Sequence, residues 1–295
     1  MVHRRRVVKG WARGPFDPKF VLWLSCYGER KAVRYQKGSI ALNDRKDTPI
    51  LRFVADSHFV THSQLYFFSR VDECENNRRV FNWRIRRLVR NGLVRKQVLP
   101  FLGGEPLYSI SRGGIHALEQ MGVHYLGANL DRERDAQEAQ IPHALELNNV
   151  RLALLGTGML WQWIPEPFIR ILSLSPGTSY AKVYDGIAKV RLDGQDIRFA
   201  IEYERTLKSQ PKYEKIRQAI ESEKRLHGFL YLVPSLELIW ALIDEFYRTR
   251  RLVFFALVDD FKRKVFDVQV WAPGYNTTSL KEALLKVAAL EKSKV

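Results

Sequence analysis

Two short all-apolar runs, FLYLV at 229–233 and LVFFALV at 252–258, most constrain how this chain can fold. A strand with one wet face alternates apolar and polar side chains, whereas an uninterrupted apolar run needs cover on both sides. Both runs therefore read as central strands of a sheet with helices on each face. Between them, SLELIWALIDEFYR reads as a helix. The rest of the second half extends this mixed α/β pattern. A helix is expected at HALELNNVRLALLGTGML, then strands near FIRILSL, SYAKVYDGIAKVRL and DIRFAIEYE, a helix at PKYEKIRQAIESEKRL, and strands at GFLYLVP and RLVFFALVDD.

The first half has a different rhythm. TPILRFVADSHFVTHSQLYFFS presents Ile50, Leu51, Phe53 and Val54 as the apolar face of one helix, and Thr61 or Ser63 is placed to cap a second. NRRVFNWRIRRLVRNGLV spaces Phe81, Ile85, Leu88 and Val89 as the buried stripe of a third helix that stops at Gly92. Its opposite face gathers Arg79, Arg86, Arg87 and Arg90 around Trp83, flanked by Arg78 and Arg84. VRKQVLPFLGGEPLYSIS then alternates like two strands about a Gly-Gly loop, with Arg95 and Lys96 on the first, and RGGIHALEQMG resumes a helix. Helix, helix, basic helix, two-stranded wing, helix is the order of a winged helix-turn-helix. In that reading the third helix enters a DNA major groove while the wing and the basic N-terminal arm touch the backbone.

A length of 295 residues, 46% hydrophobic, suggests two domains. The expected division is a basic arm at 1–47, a winged helix at 48–122, a linker at 123–142 and an α/β domain at 143–295. The arm carries Arg4, Arg5, Arg6, Lys9 and Arg13. Charge follows the same division: residues 1–120 hold 23 Lys/Arg against 10 Asp/Glu, and 121–295 hold 25 against 22. So lopsided a basic excess favours a polyanionic partner, here nucleic acid. No apolar run reaches the roughly 18–20 residues of a membrane helix, and MVHRRRVVKGWARG has no apolar core of a signal peptide. Cys26 and Cys74 form no CxxC, so neither a zinc site nor a disulfide framework is expected, and a reducing cytoplasm fits.

The chemistry concentrates in YDGIAKVRLDGQDIRFAIEYERTLKSQPKYEKI. Glu202 and Glu204 are two apart on a strand and share a face, with Tyr203 on the other. A turn centred on Asp193 and Gly194 pairs Asp185 with Glu202, so three carboxylates could converge. Such oxygen ligands suit Mg²⁺ or Mn²⁺, which can activate water and neutralise phosphate charge. The alternative is three acids on a solvated sheet edge.

The αβββαβ order, with Asp185 and the ExE pair followed by a lysine-bearing helix, resembles the PD-(D/E)XK, restriction-endonuclease-like core. Tyr184 stands where that family's proline is expected, and Glu204 where its catalytic lysine usually falls. More specifically, HALELNNVRLALL, DGIAKV and FAIEYERTLKSQPKYEKI resemble the replication-relaxation family and the MOBC-type relaxases, which couple a winged helix to a nuclease-like core. The resemblance implies that Asp185, Glu202 and Glu204 are metal-binding catalytic acids, with Lys215, or less favourably Lys208, reaching the scissile phosphate. His143 and Asn148 match an HxLxxNxV pattern, His143 being a candidate general base, and Glu146 is a candidate further ligand. The implied activity is Mg²⁺-dependent nicking of duplex DNA, with a possible single-stranded region, at a transfer origin, alongside other relaxosome or conjugation proteins.

The absence of any HxH argues against the histidine-cluster relaxases, and without GxxxxGK[ST] or GxGxxG a nucleotide-driven reaction has no visible support. His58 and His62 lack the HExxH that a zinc hydrolase needs. Tyr180, Tyr184, Tyr203 and Tyr213 lie near the acids as alternative nucleophiles. A DNA-binding replication or relaxosome accessory protein, or a transcriptional regulator, with a degenerate nuclease core is the competing reading.

Overall fold

The computed structural model describes residues 40–123, 139–174 and 177–292; the basic arm before Ile40 and most of the expected linker lie outside these. Within them the chain is a mixed α/β protein with a three-stranded and a seven-stranded sheet. Among the described residues no helix is long and apolar enough to cross a membrane.

The apolar runs become β7 (Gly228–Val233) and β8 (Val253–Leu257), the middle of the larger sheet. Every residue of β7 is buried. Its side chains alternate between two cores, as strand geometry requires. Leu230 and Leu232 join Phe199 and Ile201 of β6 (Gln195–Tyr203) under α5 (Ile141–Gly156), α9 (Val258–Lys264) and α10 (Leu280–Lys292). Phe229, Tyr231 and Val233 join Ala200 under α6 (Glu166–Leu172), α7 (Gln210–Ser222) and α8 (Leu236–Phe246). β6, β7 and β8 are parallel, connected by α7 and α8. On one side β5 (Gly186–Leu192) and β4 (Leu160–Pro165) add antiparallel strands, and on the other β9 (Gln269–Ala272) and β10 (Tyr275–Ser279).

The β5–β6 hairpin turns at Asp193 and Gly194, with φ of 46° and 79°. Two consecutive positive φ values are what a two-residue primed turn needs to match strand twist. The ladder runs from Leu192 opposite Gln195 to Gly186 opposite Ile201, so Asp185, one residue ahead of β5, falls across from Glu202.

Two expectations are corrected. FIRILSL forms helix α6, because Pro165 and Pro167 bracket Glu166 at its start, where proline suits a first helical turn and acid suits the helix dipole. The strand lies just upstream in LWQWIP, where the expected helical tail GML has already left α5, which stops at Gly156. Tryptophans on the more open face of β4 conceal its alternation: Trp161 is exposed while Gln162 and Ile164 are buried.

The N-terminal unit runs α1 (Asp47–Ser57), β1 (Val60–Thr61), α2 (His62–Val71), α3 (Arg78–Arg90), β2 (Val94–Val98), β3 (Pro106–Ile110) and α4 (Arg112–Gln120). Its antiparallel sheet is ordered β1-β3-β2. Thr61, not Ser63, caps α2, in a reciprocal capping box with Gln64. Phe53, Val54, Leu65, Phe81, Ile85 and Leu88 fill the core.

Beneath α3 the fully buried Asp47 binds Arg84 at 2.6 Å, the Arg87 guanidinium, and the backbone N–H of Asn43 at 2.7 Å. Removing the acid leaves a buried guanidinium without its main partner, which costs about 3–5 kcal/mol. Asp47→Ala should lower the unfolding free energy by about that amount in urea titrations; a loss below about 1 kcal/mol would show that the network is not structural.

Candidate functional site

The acids sit where the β5–β6 hairpin opens beside the start of α5. Asp185 is fixed by the Tyr203 backbone N–H, which donates to Oδ2 at 2.8 Å, while Oδ1 lies 3.4 Å from Nε2 of His143. The His143 ring stacks on Tyr203 with centroids 5.5 Å apart. Gly186 follows Asp185 because the Trp163 ring covers it; a Cβ there would meet the ring at 2.3 Å. Burial opposes a charge on His143, but the hydrogen bond and charge of Asp185 outweigh it and raise its pKa above the ordinary value.

Glu202 and Glu204 are both buried, on the side opposite the intervening Tyr203. Lys182 Nζ is 2.5 Å from Glu202 Oε1. Burial, with the neighbouring Asp185 charge, pushes the Glu202 carboxyl up to about 7 even though Lys182 pulls it down. Glu204 is engaged by the Lys208 ammonium, and the Lys208 backbone N–H donates to the Tyr213 hydroxyl at 3.2 Å. Of the two lysines expected there, Lys208 and Lys215, it is Lys208 that meets the acids. Lys215 is exposed, two residues beyond the inward-facing Tyr213 and so roughly 200° around α7.

Lys182 was not legible as a site residue. It lies three residues before Asp185 in a stretch that reads as continuous strand, whereas β5 begins only at Gly186. Asn148 is structural: its Nδ2 donates to the Phe59 carbonyl at 2.7 Å. Glu146 pairs with Lys262 of α9 at 2.5 Å. Tyr180, Tyr184 and Tyr213 are buried and their pKa values raised by that burial, which suits core roles rather than attack on phosphate.

Among the described residues no group of three or more His, Cys, Asp and Glu side chains is arranged to hold a metal ion. Two acids nevertheless match what Mg²⁺ ordinarily takes from a protein, one or two carboxylates with water and substrate phosphate completing the shell. Asp185 and Glu202, set across from each other by the ladder, could supply such a pair. The buried hydroxyls of Tyr184 and Tyr231, which feel the Glu202 charge, have no hydrogen-bond partner among the described residues. The surroundings of Glu202 therefore retain unmet polar capacity.

Asp185 and His143 line a cleft of about 330 Å³ between the two units, to which Asp56 and His58 contribute from the N-terminal side and Glu166 and Arg170 from α6. Burial would raise the Glu166 carboxyl, but His58 and Arg170 hold it down at about 2. Arg151, 3.3 Å from Asp56, ties α5 to α1 along the same cleft.

On the N-terminal unit, Arg79, Trp83, Arg86 and Arg90 form one exposed stripe along α3, Trp83 being 57% exposed. Arg78 is exposed and stacks over the Tyr66 ring, and Arg95 and Lys96 are exposed on β2. Arg84 departs from the expected basic face: it is buried against Asp47 and, at 3.5 Å, Glu75. Arg87 is half-drawn into the same network.

No protein-family model matches the chain, and no curated protein matches it either.

In the folded protein Glu202 holds a proton at pH values where the unfolded chain has released it, so its contribution to stability is present below the ordinary carboxylate range and is lost as pH rises toward about 7. In metal-free protein, Glu202→Gln should therefore gain stability relative to wild type between about pH 5 and 7.5. A difference that stays constant with pH would mean that the carboxyl is not raised. His143 behaves in the opposite sense to an acid of lowered pKa: its ion pair stabilises below about 6.5 and is lost as pH rises through the raised folded value. An NMR titration should place its midpoint above that of Asp185→Asn protein.

Proposed function

We propose that this protein is a metal-dependent DNA-nicking enzyme of relaxase type, in which a winged helix recognises duplex DNA and an αβββαβ nuclease-like core cleaves one strand at a transfer origin. The observation that carries the reading is the Asp185–Glu202 pair, held opposite each other by a two-residue turn and flanked by His143 and Lys182, in a chain whose other unit exposes an arginine stripe. Further support comes from element order. The helix α5, antiparallel β4, β5 and β6, helix α7 and parallel β7 follow the order of that core, with α6 inserted. The two helices, basic helix and wing of the N-terminal unit fit the DNA-binding module in the same way.

In this mechanism Asp185 and Glu202 would hold Mg²⁺ or Mn²⁺, which supplies charge neutralisation at the scissile phosphate. Lys182 and Lys208 offer ammonium groups for the phosphate charge as it shifts to the leaving oxygen. His143, oriented by Asp185, is placed to move a proton to or from the reacting oxygen. Arg79, Arg86, Arg90, Arg95 and Lys96 would contact phosphates and set the register. The setting is a cytoplasmic DNA complex, with other relaxosome proteins as partners.

A second reading is favoured by one observation: Glu202 and Glu204 already have lysine partners. That suits a DNA-binding accessory or regulatory protein whose core no longer cleaves.

Nicking of supercoiled plasmid carrying the element's own origin distinguishes the two. Wild type should nick with Mg²⁺ and not with EDTA, while Glu202→Ala should bind the same DNA and lose nicking by at least about a hundredfold. If both proteins bind and neither nicks, the accessory reading stands. For recognition, Arg86→Ala and Arg90→Ala should each weaken binding about tenfold and reduce the salt dependence by about one counterion; an unchanged salt slope would remove α3 from the interface.

A further inference from the structure

The β2–β3 hairpin has two unlike sides at its tip. Leu99 and Leu102 turn inward onto a small cluster of Phe59, Leu107, Ile141 and Ala144. Val98 and Phe101 turn outward, 56% and 60% exposed. The tip is built firmly for a surface loop: Pro100 opens a 3₁₀ turn, and Gly103 and Gly104 take positive φ to reverse the chain. The Glu105 carboxylate accepts from the Ser63 backbone N–H at 2.6 Å. A phenylalanine held outward on an anchored turn, next to a strand that exposes Arg95 and Lys96, has the composition of a wedge for a polyanion with stacked apolar interiors.

What lies beneath the tip gives the wedge a purpose. Ile141 and Ala144 belong to the first turns of α5, and Ala144 lines the same cleft as His143 and Asp185. About 330 Å³ lies at the lower end of the roughly 300–1,000 Å³ of small-molecule sites, room on the order of one nucleotide and not a duplex. A cleft of that size suits one nucleotide of a strand parted from its complement.

We infer that the hairpin tip is a strand-separating wedge, in which Phe101 stacks into duplex DNA and frees one strand to enter the cleft at His143 and Asp185. The inference rests on the DNA-binding reading above and goes beyond it in assigning where the duplex opens. Phe101 supplies the stacking face, Arg95 and Lys96 hold the backbone of the opening duplex, and Leu99 and Leu102 transmit the position of the tip to α5.

The test uses the full chain at low salt with a short mixed-sequence duplex carrying 2-aminopurine, either blunt or with one forked end. Wild type should brighten the 2-aminopurine and bind the fork about tenfold more tightly than the blunt duplex, the scale of one base–aromatic stack. Phe101→Ala should lose both effects while keeping blunt-duplex affinity within about threefold and an unchanged unfolding midpoint. Phe101→Trp should restore them. The inference is overturned if Phe101→Ala keeps the fork preference, or if it weakens blunt and forked binding in step. Wild type that binds the blunt duplex with neither brightening nor fork preference overturns the wedge alone. Wild type that binds neither probe overturns the DNA-binding reading and the wedge with it.

Discussion

One helix belongs to two cores, and the geometry of the site depends on it. α5 is apolar around most of its circumference, so no single neighbour can cover it. Val150 and Leu154 pack on the large sheet, while Leu152 joins the core of the N-terminal unit. Polar contacts fix the alignment: Gln64 donates to the Leu145 carbonyl at 2.8 Å and to Asn149 at 2.7 Å, and Asn148 donates to the Phe59 carbonyl. Because apolar contacts join α5 to the sheet and these polar contacts join it to the N-terminal unit, His143 at its start is held relative to both at once. The cleft beside it is the space left where two covered faces diverge.

Charge compensation organises the rest. Buried charge is tolerated when paired, and here the pairing is selective. On α3 the inward arginines neutralise Asp47, which leaves the outward stripe at 79, 86 and 90 as the strongly cationic surface of the helix. Around the hairpin mouth Glu202, Glu204 and Asp185 each meet a different basic side chain, from the irregular stretch before β5, the loop after β6 and α5 respectively. Acids supported from three separate segments respond to shifts in any of them, whereas among the described residues Asp47 meets its ionic partners on α3 alone.

Much of the fold was legible because local chemistry and global packing agree. The runs at 229–233 and 252–258 are buried on both faces, the Asp193–Gly194 turn sets the expected register, and Thr61 caps α2. FIRILSL was misread because its apolar content fits either element, and the two prolines beside it decide for helix. LWQWIP was missed because a buried glutamine and an exposed tryptophan invert the usual pattern. At the site, strand periodicity was enough to place Glu202 and Glu204 together. Nothing local placed Lys182 on Glu202, since that contact depends on the irregular path of 177–185. Arg84 read as surface because arginine usually is; Asp47, 37 residues earlier, with Glu75, turns it inward.

The short turn at 193–194 also sets a limit on how such a chain can vary. Since side chains alternate with a period of two, one extra residue accommodated by sliding β6 against β5 would bring Tyr203 or Ile201 opposite Asp185 and carry the glutamates to the other face. Most surface loops can lengthen freely across homologous proteins. This one works as a spacer of fixed count, so descendants of the chain can change the identity of its residues far more readily than their number.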